Sequence, residues 1–113
     1  MSAAAGASLL ASPLDIAALT GSSTVPVLID CYTPGCGPCA ALAPLLDALA
    51  AERGDALIVE KVDVAAHPEV AKGFGVRSVP TLLLFSGGKL AATRTGAATA
   101  AQLMTWLAVH NAV

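Results

Sequence analysis

The chain has 113 residues, with six Lys and Arg set against eight Asp and Glu, for a net charge of −2. That length suits one domain with a single core that needs no staples, and the few, scattered basic residues leave no footprint for nucleic acid or an acidic substrate. Apolar residues make up 56% but alanine supplies much of that share, and no apolar run approaches a membrane span.

The start, MSAAAGASLLASPLD, has a short apolar patch with no basic residue ahead of it. A secretory signal needs both a basic region and a longer apolar stretch, so the expectation is a cytoplasmic protein whose residues 1–8 are loosely ordered. Ser12-Pro13 followed by Leu14, Ile16, Ala17 and Leu19 predicts a short helix with Pro13 in its first turn, ended by Thr20-Gly21-Ser22-Ser23. Residues 25–32 form a continuous apolar run rich in β-branched side chains, the pattern of a strand covered on both faces. Thr33-Pro34-Gly35 reads as a turn into a helix over residues 36–52. In that helix Leu42, Leu45, Leu46 and Leu49 make one buried stripe, and Pro44 should kink it by removing a backbone bond. A second strand is predicted over 56–64, a short helix over 68–74 and a third strand over 81–85. Ser86-Gly87-Gly88-Lys89 has hairpin-turn chemistry and leads into a strand over 90–95. Thr99-Ala100-Ala101-Gln102 is a capping-box pattern opening a last helix, on which Leu103, Trp106, Leu107 and His110 share a face. Phe74, Phe85 and Trp106 read as core packing. Alternating strands and helices, ending in a hairpin and a helix, argue an α/β sandwich around a mixed sheet.

The chemistry concentrates in Tyr-Thr-Pro-Gly-Cys-Gly-Pro-Cys-Ala, residues 32–40. Two cysteines at this spacing suit a redox couple, half of a zinc site or one leg of a structural bridge. Zinc would need four ligands, and Cys31, His67 and His110 supply no second pair at ligand spacing, so no metal is expected. A structural bridge is out of place in a reducing compartment, and three cysteines are an odd count for a stapled domain. The pair lies where a buried strand meets a helix. There the unpaired N–H groups and the helix dipole favour a thiolate, and a second thiol one turn on can attack the first. Cys31, on the apolar strand, reads as a small buried hydrophobe, and His67 before Pro68 as a helix cap or surface residue.

From Pro13 onward the chain resembles a thioredoxin. CGPC at 36–39 is similar to that family's active-site tetrapeptide, and Ser78-Val79-Pro80-Thr81 to its cis-proline segment. Asp30 stands where the family has a buried acid and Lys61 where it has the lysine pairing with that acid; Pro44, Gly88 and Gly96 fall on favoured positions. The resemblance implies a thioredoxin fold over residues 1–113, a mixed central β-sheet flanked by helices on both faces. It also implies a protein-disulfide reductase acting through Cys36 and Cys39. Asp30 is expected to take the proton of Cys39, and Lys61 to partner Asp30. Gly35, Gly37, Pro38, Val79, Pro80 and Gly96 are expected on the substrate side, with the Val79 backbone pairing with an extended peptide. A thioredoxin reductase fed by NADPH or ferredoxin would recharge a monomer that binds no cofactor itself. Two other readings share the fold: a specialised thioredoxin with restricted partners and an atypical reductase, and a binding scaffold with incidental redox activity.

The pattern is broken at Gly35, where most members carry tryptophan, and at Ala40, where a basic residue is common; Tyr32 keeps an aromatic near the site. With no nearby Lys or Arg in sequence, the Cys36 thiolate would rest on the helix terminus. A thiol pKa of about 7 and a potential of about −270 mV are then expected.

Overall fold

A computed structural model describes residues 10–113; the expectation for residues 1–8 lies outside them. The elements run α1 (Pro13–Ser22), β1 (Val27–Tyr32), α2 (Gly37–Arg53), a 3₁₀ turn (Gly54–Ala56), β2 (Ile58–Asp63), α3 (Pro68–Phe74), β3 (Thr81–Ser86), β4 (Lys89–Thr95) and α4 (Ala100–Val109). The strands form one mixed sheet in the order β2-β1-β3-β4. β1 pairs in parallel with β2 and antiparallel with β3, and β3 and β4 form the hairpin.

Local signals account for the helix starts. Ser12 caps α1 by accepting from the Asp15 N–H, with Pro13 in the first turn. Thr99 and Gln102 satisfy each other's backbone N–H groups in a complete capping box at α4. α1 runs on through Thr20-Gly21-Ser22, which the sequence reads as its end. Thr20 is buried within that last turn, and its hydroxyl donates to the Ile16 carbonyl at 2.8 Å, so its polar group is satisfied inside the helix. His67 takes the cap position of α3, but its side chain makes no capping bond. The strand predicted over 56–64 is shorter, because residues 54–56 wind into the 3₁₀ turn.

β1 is the middle of the molecule. Its period-two alternation sends Val27, Ile29 and Cys31 to one face, where they pack with Ile16, Val62, Val70, Leu83 and Phe85. Leu28 points to the other face and packs with Leu42, Leu46 and Leu49 of α2, Leu82 and Leu84 of β3, and Leu103 and Leu107 of α4. The continuous apolar run of this strand follows from cover on both sides. Phe74 and Trp106 are half-buried at the margins of the two clusters, not inside them. Trp106 instead sets its ring edge-to-face on His110, with ring centroids 5.8 Å apart, because only Leu103 and Leu107 of that helix turn fully toward the sheet.

Leu46 is fully buried where α2 meets the sheet. Leu46→Ala should lower the unfolding free energy by about 2–5 kcal/mol in a urea titration, through lost transfer energy and the cavity left behind.

Candidate active site

The turn after β1 carries the chain back over the α2 face of the sheet, and the cysteines fall at the start of that helix. Cys36 is the N-cap of α2 and Cys39 lies in its first turn; the two are joined by a disulfide, their Cα atoms 5.2 Å apart. Cys36 Sγ accepts a hydrogen bond from the Cys39 N–H at 3.2 Å. That donor, with the positive end of a 17-residue helix, lies where a Cys36 thiolate would carry its charge. The two sulfurs are not equivalent, since Cys36 is half-buried while Cys39 is only 5% exposed. An incoming group therefore meets Cys36 first.

Asp30 follows from the alternation of β1. As an even-numbered position it faces α2, and it is 2% exposed, with Oδ1 lacking any hydrogen-bond partner. Burial pushes its carboxyl up to about 6; the Lys61 ammonium pulls it down and Asp47 pushes it up. A strand-end carboxylate turned to solvent would show neither the burial nor the shift. Cys31, the next residue, faces the opposite side and is fully buried. Burial, and after it the Asp30 charge, pushes its thiol up to about 12, so it is no nucleophile.

Lys61 is Asp30's register partner on β2. The expected ion pair between them is not formed. Lys61 Nζ instead bonds Asp47 Oδ1 of α2 at 3.0 Å, because a long side chain rising from β2 meets an acceptor on the overlying helix. Asp47 is the participant that the sequence reading missed. It lies beside the Leu42–Leu46–Leu49 stripe, and only the register of β2 under α2 shows that it faces Lys61.

The remaining candidates divide by position. Gly35, Gly37 and Pro38 are exposed around the disulfide. The Val79–Pro80 bond is cis, Pro80 is buried, and its carbonyl accepts from the Gly96 N–H at 2.9 Å, so Gly96 secures Pro80 from β4's end. Gly35 has φ +79, and a Cβ built there would meet nothing within 4 Å. Beside it opens a cleft of about 350 Å³ lined by Asp30, Tyr32, Gly35, Cys36, Cys39 and Lys61, among others. Cysteines, buried acid and ammonium thus share one space. Among the described residues no group of three or more His, Cys, Asp or Glu could hold a metal ion.

The family model described as Thioredoxin matches residues 17–109. The chain is 44% identical to a thioredoxin of Acidithiobacillus ferridurans over 75% of this chain and 79% of that protein. It is 38% identical to a thioredoxin of Haemophilus influenzae over 85% of this chain and 90% of that one. A segment covering 60% of this chain is 47% identical to 15% of a bifunctional thioredoxin reductase/thioredoxin of Mycobacterium leprae.

Two stability measurements probe this geometry. Asp30 keeps its proton up to about pH 6 when folded, against a reference value of 3.8. Between those values the unfolded chain binds fewer protons, so stability falls as pH rises through this window. At about 1.4 kcal/mol per pH unit the loss is about 3 kcal/mol. Asp30→Asn should abolish this slope and be the more stable protein at pH 7, as read by urea unfolding from pH 3.5 to 7.5. Gly35→Ala should cost about 1 kcal/mol from backbone conformation alone, since no neighbour stands in its way.

Proposed function

The chain belongs to the thioredoxin family and is a protein-disulfide oxidoreductase working by dithiol–disulfide exchange, and we propose the following division of labour for it. Reduced Cys36, the more exposed thiol, attacks a substrate disulfide as a thiolate favoured by the helix terminus. One substrate sulfur leaves as a thiol, and the other stays joined to Cys36. The bound segment runs alongside Val79 and Pro80 as an added extended strand, in contact with Gly35, Gly37, Pro38 and Gly96. Asp30 accepts the proton of Cys39 through the solvent of the cleft that both line. The Cys39 thiolate then attacks Cys36, forms the intramolecular disulfide and releases the second substrate thiol. Lys61 moderates the basicity of Asp30.

The observation that carries this reading is the unequal burial of the two sulfurs above a carboxyl raised into the working pH range. Disulfide-containing proteins are the substrates. A thioredoxin reductase, NADPH- or ferredoxin-linked, returns the oxidised form to the dithiol. The fusion of the two activities in the bifunctional Mycobacterium leprae relative supports that pairing. We further propose that the chain acts as a single-domain monomer in the cytoplasm and binds no cofactor of its own. No helix among the described residues is long and apolar enough to cross a membrane.

Insulin reduction driven by dithiothreitol tests the assignment. Wild type should accelerate the reaction, and Cys39→Ser should fall to the rate of dithiothreitol alone while accumulating a mixed disulfide visible by mass. Equal rates for the two proteins would leave only a binding role. Turnover with NADPH and a thioredoxin reductase then separates a general reductant from one with restricted partners.

A further inference from the structure

Asp30 and Lys61 sit opposite each other on neighbouring parallel strands, with their side chains on the α2 face. Adjacent strands are about 4.8 Å apart, well within the reach of a lysine side chain. The ammonium nevertheless rests on Asp47, at 3.0 Å, and Asp30 Oδ1 has no hydrogen-bond partner among the described residues. Both Asp30 and Lys61 line the cleft that holds the two cysteines.

We propose that Asp47 is a positioning residue for the exchange reaction: it holds the Lys61 ammonium on α2 and so keeps it from pairing with the Asp30 carboxylate. This rests on the reading of Asp30 as proton acceptor. In the resolving step the Cys39 S–H bond breaks and its proton goes to an Asp30 oxygen. The Cys39 sulfur bonds to Cys36, and the substrate sulfur leaves with the electron pair of the broken S–S bond, to be protonated from solvent. An ammonium hydrogen-bonded to Asp30 would occupy the accepting oxygen and favour the carboxylate over the acid that must form. An ammonium parked on Asp47 leaves the oxygen open while its charge still lies near. The ion pair itself, with Asp47 70% exposed and open to solvent screening, adds little to stability, so its place in the site concerns Asp30 more than the fold.

Among the described residues, few titratable or charged groups share the cleft with Asp30 or act on it. They are Lys61 from β2, Asp47 and the two cysteines from α2, and Tyr32 from its own strand. The neighbour on β3 is Leu82, and α4, packed on the same face, carries no charged residue.

Carboxyl-labelled aspartate in the reduced full chain lets NMR follow Asp30 directly. Asp47→Asn should lower the Asp30 midpoint by about one pH unit and move the acid limb of the resolving rate down with it. Asp47→Glu should restore both. In a Lys61→Met background, with no ammonium to release, Asp47→Asn should shift the midpoint clearly less. An unmoved midpoint overturns the proposal, and so does an equal shift in both backgrounds, which would mean that Asp47 acts by its own charge alone. Thermal melts confirm that each variant is folded. An Asp30→Asn rate profile identical to wild type would instead overturn the proton-acceptor reading, while the titration still decides where Asp47 keeps the ammonium.

Discussion

Pleating imposes one constraint on which the site depends. β1 is hydrogen-bonded on both edges and covered on both faces, so each of its side chains must go to one buried layer or the other. Asp30 goes to the α2 layer, the same layer as Leu28. Taking a carboxylate out of water there is unfavourable, and the ammonium that partly compensates rises from the neighbouring strand. The chain leaves β1 two residues later, turns at Thr33–Pro34–Gly35, and re-enters as α2 on that same layer. The strand that buries the acid therefore also delivers the cysteines over it. A shift of one residue in register would carry Asp30 to the α1 and α3 side and leave the cysteines over an apolar floor.

Much of this was legible before any coordinates. The leucine stripe of α2, the two-sided burial of β1, the Gly-Gly hairpin and the capping box of α4 are local patterns with local causes, and the structure shows them, with Leu45 alone of the stripe half-buried at its edge. The sulfur pair was also legible, because helix N-termini announce themselves through the turn ahead of them and the proline in their first turn. What escaped depends on contacts between elements far apart in sequence. Nothing near Lys61 tells whether its ammonium goes along the sheet to Asp30 or up to Asp47. Thr20 carries the composition of a helix end, yet it is buried inside α1 with its hydroxyl bonded back to the Ile16 carbonyl. Trp106 has the spacing of a core residue, but the stripe of α4 is narrow, and its indole is left at the edge with His110.

Gly35 leaves the site open on one side. No side chain at this position walls off the cleft beside Cys36, so the route from solvent toward Asp30 passes over bare backbone. What the position presents is an opening beside Cys36.

The burial of Cys31 has a consequence for biogenesis. Three cysteines permit three different single bridges, and two of those include Cys31, which stands only five positions before Cys36. In the finished molecule neither mispairing can occur, because the thiol is sealed on the far side of the sheet and does not ionise near neutral pH. A nascent or unfolded chain has no such sorting. All three thiols are then open to an oxidant, and a bridge that includes Cys31 is incompatible with its place in β1. Sorting of the three thiols thus depends on the fold that seals Cys31 away from the other two.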